Sequence, residues 1–133
     1  MGSSRLLVID DDREVRNTIA DTLRFDGHDV QTASDGREGL ALVSRNPYDL
    51  IFCDLRMPQM DGRAFYETIQ REYPRVLKRL VFVTAQAHSF EYAAFLRESG
   101  IPFLEKPVTF QQLRKMVDRM VGQGATSGRR RLI

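Results

Sequence analysis

The 133-residue chain has a single cysteine, Cys53, so no internal disulfide can form and the composition fits a reducing compartment. Its two histidines, His28 and His88, have no partner at ligand spacing, which argues against a histidine-based metal site. No apolar run approaches the roughly 18 residues that suggest a membrane span. Runs such as Leu50-Ile51-Phe52-Cys53 and Leu80-Val81-Phe82-Val83 are short, and no secretory signal precedes them. We therefore expect a cytoplasmic domain with no membrane insertion by this chain. An excess of one charge is missing as well. Lys and Arg number 20 against 18 Asp and Glu, but Arg129, Arg130 and Arg131 lie at the very end, and without them the body is close to neutral. A neutral body gives no electrostatic footprint for nucleic acid. Internal repeats are also absent.

What remains is 42% hydrophobic and 29% charged, ordinary for one globular domain with a single core and too short for two of usual size. Residues 1–4 read as an N-terminal extension or an expression scar, 5–122 as the folded domain and 123–133 as a flexible basic tail. Gly122-Gln123-Gly124-Ala125-Thr126-Ser127-Gly128, small and polar, reads as a linker before the arginines.

Within the body, short apolar runs alternate with stretches of helical period. Leu6-Leu7-Val8-Ile9 has no polar interruption, the pattern of a strand buried on both faces of a parallel sheet. Further strands are predicted at 29–33, 50–53, 80–83 and 103–104, and helices at 12–25, 35–45, 62–73, 89–98 and from 109 onward. Asp12, Asp35 and Asp61 stand where helix caps are favoured, and Thr109 with Gln112 has capping-box spacing. Parallel strands need crossovers, and right-handed crossovers put helices on both faces. The expected fold is a doubly wound α/β sandwich of five strands.

Such sheets gather chemistry at the carboxyl ends of their strands. Asp10, Asp11 and Asp12 follow the first run, Asp54 the third, Thr84 the fourth, and Lys106 and Pro107 the fifth. Two unit charges about 4 Å apart repel by about 4 kcal/mol at an effective dielectric of 20, so a cluster of Asp10, Asp11 and Asp54 calls for cations. Lys106 supplies one. A hard divalent ion such as Mg²⁺, which takes oxygen ligands and keeps several waters, is the natural second. With the Thr84 hydroxyl at the same edge, the set suits a transferring phosphoryl group, and an aspartate can serve as its nucleophile.

The segments Leu7-Val8-Ile9-Asp10-Asp11-Asp12, Cys53-Asp54-Leu55-Arg56-Met57-Pro58-Gln59-Met60-Asp61-Gly62, Val83-Thr84-Ala85 and Glu105-Lys106-Pro107, taken in this order, resemble the signature blocks of two-component response-regulator receiver domains. The resemblance covers 5–122 and implies a flavodoxin-like sheet of strand order 2-1-3-4-5. It implies that Asp54 is the phosphoacceptor, and that Asp11, Asp54 and the backbone carbonyl of Arg56 ligate Mg²⁺ while Asp10 acts through a water. Thr84 and Lys106 would contact the phosphoryl group, Ala85 would leave room for it, and Phe103 would be the switch aromatic that moves with Thr84. Pro107 would follow a cis peptide bond. The implied partner is a histidine kinase or phosphotransfer protein, with a homodimer through the helix 4, strand 5 and helix 5 face as a further option. Arg56 and Gln86 occupy the positions that flank the phosphoryl group in this family. The stretch from Gly100 to Pro107 resembles receivers at the C-terminus of hybrid sensor histidine kinases, the alternative being a stand-alone regulator.

Other classes fit less well. A Mg²⁺-dependent phosphohydrolase using an aspartyl phosphate would need a general acid where Arg56 stands. A flavin carrier of the same fold would need a phosphate-cradling loop where three aspartates repel phosphate. Cys53 is expected to be buried and to face away from the pocket, Met57 and Met60 to pack the loop after the third strand, and Phe90, Tyr92 and Phe95 to form core or a modest partner face.

Overall fold

The apolar runs become strands β1 (Arg5–Ile9), β2 (Asp29–Ala33), β3 (Leu50–Cys53), β4 (Leu80–Thr84) and β5 (Phe103–Glu105) of one parallel sheet in the order β2-β1-β3-β4-β5. Between and after them run α1 (Arg13–Phe25), α2 (Gly36–Arg45), α3 (Gly62–Glu72), α4 (Ala93–Ser99) and α5 (Phe110–Gly128). The structure is a computed structural model and describes residues 3–128.

Side chains alternate across a strand, and the continuous runs therefore feed two cores at once. Leu6, Val8, Leu50, Phe52, Val81 and Val83 meet Ile19 and Leu23 of α1 and Leu113 and Val117 of α5. Leu7, Ile9, Ile51, Cys53 and Phe82 meet Val43 of α2, Phe65 and Ile69 of α3 and Leu96 of α4. The register levels the ends of β1 and β3, Ile9 pairing with Cys53, while β4 runs two residues past Phe82, the partner of Cys53, to Thr84. The backbone N–H of Asp54 then donates to the Ile9 carbonyl at 2.9 Å, extending the ladder by one bond. Asp10 and Asp54 thus leave the sheet side by side.

The caps hold the helix starts at that edge. Asp12 accepts from the N–H groups of Glu14 and Val15, Asp35 from Glu38, and Asp61 from Ala64. In α5, the Gln112 N–H donates to Thr109 Oγ1 at 3.0 Å and the Thr109 N–H to Gln112 Oε1 at 2.8 Å, a reciprocal capping box.

Two local expectations differ from the structure. The helix expected from residue 89 begins only at Ala93. The Ser89 hydroxyl and carbonyl accept from the Tyr92 and Ala93 N–H groups and fold 88–92 into turns first. The helix α3 ends before Pro74, as expected, and Pro74 starts a 3-10 helix over Pro74–Arg79, since proline suits a first helical position. The segment from Gly122, read as a linker, continues α5 to Gly128, each added residue closing one more helical bond. Arg129, Arg130 and Arg131 lie outside the described residues.

Candidate functional site

Asp10 and Asp54 are buried, at 2% and 6% exposure, whereas Asp11 between them in chain order is exposed. One carboxylate oxygen from each of Asp10, Asp11 and Asp54 lies within 4.8 Å of the other two. Lys106 reaches this cluster from the end of β5. Its Nζ stands 2.8 Å from Asp10 Oδ2 and 3.2 Å from Asp54 Oδ2. The Lys106 N–H donates to the Thr84 carbonyl, which fixes the lysine's backbone against β4, and the Lys106–Pro107 peptide bond is cis.

The electrostatics show that one ammonium does not satisfy the acids. The Asp54 carboxyl is pushed up to about 6, first by burial and then by the neighbouring Asp10 charge, against the opposing pull of Lys106. Lys106 itself is held above the ordinary lysine range because its bonds and attraction to Asp10 and Asp54 outweigh its burial. The remaining oxygens are hard donors, and Asp11 leaves one side open to solvent. Such a set fits a Mg²⁺ ion that binds through few carboxylates and keeps water. Asp10 is further fixed from behind: its Oδ1 accepts from the Asp12 N–H at 2.9 Å, and Arg16 Nη1 donates to its carbonyl at 2.8 Å.

Thr84 ends β4 beside this cluster. It is fully buried, and its Oγ1 accepts from the Gln86 N–H at 2.8 Å. Ala85 next to it is exposed. Phe103 is 39% exposed on β5, two residues before Glu105 and three before Lys106. Gly62 is required by the loop after β3: a Cβ there would sit 2.6 Å from the Asp54 carbonyl oxygen and 2.8 Å from Leu55 Cα, both backbone atoms. Cys53 lies in the core packed by α2, α3 and α4, where burial pushes its thiol well above the ordinary range. His28 accepts from the Ser4 N–H, and His88 pairs with Glu105. Met57 is buried and Met60 packs against the same core, while Tyr92 is core, Phe95 partly so and Phe90 fully exposed.

A further set of contacts joins the segments that follow β3 and β4. Arg56 Nη2 lies 2.6 Å from Glu91 Oε1, and its guanidinium stacks 5.8 Å from the centre of the Tyr92 ring. The Tyr92 hydroxyl in turn donates to Asp61 Oδ2 at 2.8 Å. Asp61 was legible as a cap, but its second partner is 31 residues away and no spacing rule marks it.

The response regulator receiver domain model matches residues 6–118. The transcriptional regulatory protein GlrR of Escherichia coli (strain K12) is 32% identical over 122 residues, which is 92% of this chain and 27% of GlrR. The response regulator MprA of Mycolicibacterium vanbaalenii is 32% identical over 109 residues, 82% of this chain and 46% of MprA. This chain therefore spans less than half the length of these curated relatives. A CheY-like response regulator receiver domain protein from Methanospirillum hungatei superposes with a TM-score of 0.82 at 25% identity, covering 96% of this chain and 100% of that one. The receiver domain of a Pseudomonas aeruginosa sensor histidine kinase, whose active-site cleft coordinates a magnesium ion, shares the fold with a TM-score of 0.82 at 24% identity, covering 91% of this chain and 99% of that one.

Proposed function

Because the chain belongs to the response regulator receiver domain family of two-component systems, we propose that Asp54 accepts a phosphoryl group from the phosphohistidine of a histidine kinase or phosphotransfer protein. The observation that carries this reading is the placement of Lys106 Nζ within 3.2 Å of both Asp10 and Asp54, at the edge where Asp11 also converges.

In this reading the Asp54 carboxylate attacks phosphorus in line with the departing imidazole, and Lys106, already beside that carboxylate, neutralises charge on the phosphoryl oxygens. Mg²⁺, held by Asp11, Asp54 and the Arg56 carbonyl with Asp10 acting through water, would supply the further positive charge that a dianionic phosphoryl group needs. After transfer, Thr84 turns toward the phosphoryl oxygens and Phe103 moves with it. This biases a two-state equilibrium at the surface formed by α4, β5 and α5. A homodimer through that surface is one form the response can take.

The test is intact-mass spectrometry after incubation with acetyl phosphate and Mg²⁺. The expected result is one added phosphoryl group on the parent chain, dependent on the metal, and none on an Asp54→Ala variant. Undiminished labelling of that variant overturns the assignment. Steady turnover of small phosphoesters would favour the phosphohydrolase alternative instead.

A further inference from the structure

We propose that Tyr92, together with Glu91, forms a clasp between the connections that leave β3 and β4, and that this clasp restrains the segment 85–92 against phosphoryl acceptance at Asp54. Tyr92 acts here as a positioning residue, and the proposal rests on the phosphoacceptor reading above.

The two connections leave adjacent, hydrogen-bonded strands: 54–61, which begins with Asp54, follows β3, and 85–92 follows β4. Few buried contacts fasten the second one. Of its residues only Ala87 and Tyr92 are buried, while Phe90 projects wholly into solvent and Ala85, His88 and Glu91 are exposed. Turn bonds shape it internally: the Ser89 N–H donates to the Gln86 carbonyl, and the Tyr92 N–H donates to Ser89 Oγ. Such local bonds set the form of a loop without fixing it to the rest of the molecule.

Three side-chain links provide that fixation: His88 Nε2, 2.6 Å from Glu105 Oε2, ties it to β5 through two exposed side chains, and two more tie it to the connection after β3. The Tyr92 ring is buried in the core shared with Phe65 and Leu96, and its hydroxyl reaches Asp61 Oδ2 at 2.8 Å. Asp61 is the N-cap of α3 and already holds the Ala64 N–H on its other oxygen, so the bond runs to a fixed point. Gly62 beside it has its N–H on the Leu55 carbonyl at 2.7 Å, which joins that fixed point to the backbone immediately after Asp54. The other of these two, Arg56 to Glu91, spans the same gap, but both side chains are more than half exposed. Exposed ion pairs contribute little, whereas a hydrogen bond from a buried hydroxyl to a carboxylate contributes more. The Tyr92 link is therefore the dominant half.

The clasp matters because of where it holds Thr84. The threonine is fully buried and its oxygen accepts from the Gln86 N–H, so the turn of Thr84 toward a phosphoryl group in the reading above carries 84–86 with it or breaks that bond. If only a fraction of molecules has made that shift, the rate of acceptance scales with that fraction. Contacts present only in the held arrangement lower it. Tyr92 remains protonated and able to donate throughout the physiological range, because burial and the Asp61 carboxylate both raise its pKa.

Tyr92→Phe keeps the buried ring and removes only the hydroxyl. Two measurements on the whole chain test the clasp. Amide hydrogen exchange read by mass spectrometry should show faster exchange in 85–92 for Tyr92→Phe, with β1 and β3 unchanged. The initial rate of phosphoryl incorporation from acetyl phosphate should rise about three- to tenfold, with Glu91→Gln giving a smaller rise in the same direction. Unchanged exchange in 85–92 overturns the clasp whatever the labelling shows. Faster exchange with an unchanged or lower rate overturns its restraint on the reaction. A parent chain that takes up no phosphoryl group contradicts the phosphoacceptor reading and with it the proposed restraint, while the exchange arm still decides whether the clasp exists.

Discussion

The strands that present the acids and the strand that presents Lys106 are built differently. Every residue of β3, and all of β1 after Arg5, is buried, with α1 and α5 on one face and α2 and α3 on the other. On β5 only Leu104 is even partly buried, and α4, seven residues long, buries Leu96 alone. The acids are thus held by two cores at once, and the parts that must respond to them are attached by a few contacts. Regions with few buried apolar contacts open at lower free energy than the core does. A receiver needs both properties: a pocket preorganised for charge, and a flank that can rearrange when the charge changes.

The sharpest way to break this contrast is to cut the buried half. Phe52→Ala, at the centre of β3, should cost about 3–5 kcal/mol in urea unfolding. A loss below about 1 kcal/mol would mean that β3 is no better anchored than the flank.

The pH dependence probes the same half through its charge. Because the folded-state pKa of Asp54 is raised to about 6 from 3.8, the folded chain binds more protons than the unfolded chain between those values. The Asp54 contribution is therefore intact below about pH 4 and is lost as pH rises through about 6, by on the order of 3 kcal/mol without divalent ions. Unfolding free energies of the parent and Asp54→Asn, compared across this range in a chelating buffer, should diverge in favour of the variant as pH rises. Parallel curves would show that the site carries no such strain.

Gly62→Ala should cost about 1–3 kcal/mol, because the added methyl group meets the backbone of Asp54 and Leu55 rather than a yielding side chain. Thermal or urea unfolding measures it, and a neutral result would show that the loop after β3 is as free as the loop after β4. The smallest effect belongs to the flank: Phe103→Ala should change stability by about 1 kcal/mol or less, since the ring is 39% exposed. A loss comparable to that of Phe52→Ala would erase the contrast.

The same division governs what the sequence reveals. In β1, β3 and β4, uninterrupted apolar residues and the polar residues immediately after them mark both the strands and their chemistry, because burial on two faces leaves few other options. Asp12, Asp35, Asp61 and the Thr109–Gln112 pair are legible because capping is local. The start of α4 is not legible: Phe90, Tyr92 and Phe95 suggest one helical segment, while Ser89 turns the chain and puts Phe90 in water. Nor does any local pattern pair Tyr92 with Asp61 or Arg56 with Glu91, contacts 31 and 35 residues apart that exist only once the two connections lie side by side. The meeting of Lys106 with Asp10 and Asp54 followed from resemblance and from topology together, since spacing alone would leave a lysine at a strand end in solvent.

The most direct test of the central claim is to locate the acyl phosphate. After phosphorylation in Mg²⁺, reduction with borohydride converts the modified aspartate to homoserine and releases phosphate, and peptide mass spectrometry then identifies the position. The account requires the mark at residue 54 alone; a mark at Asp10, Asp11 or Asp61 with residue 54 intact would contradict it.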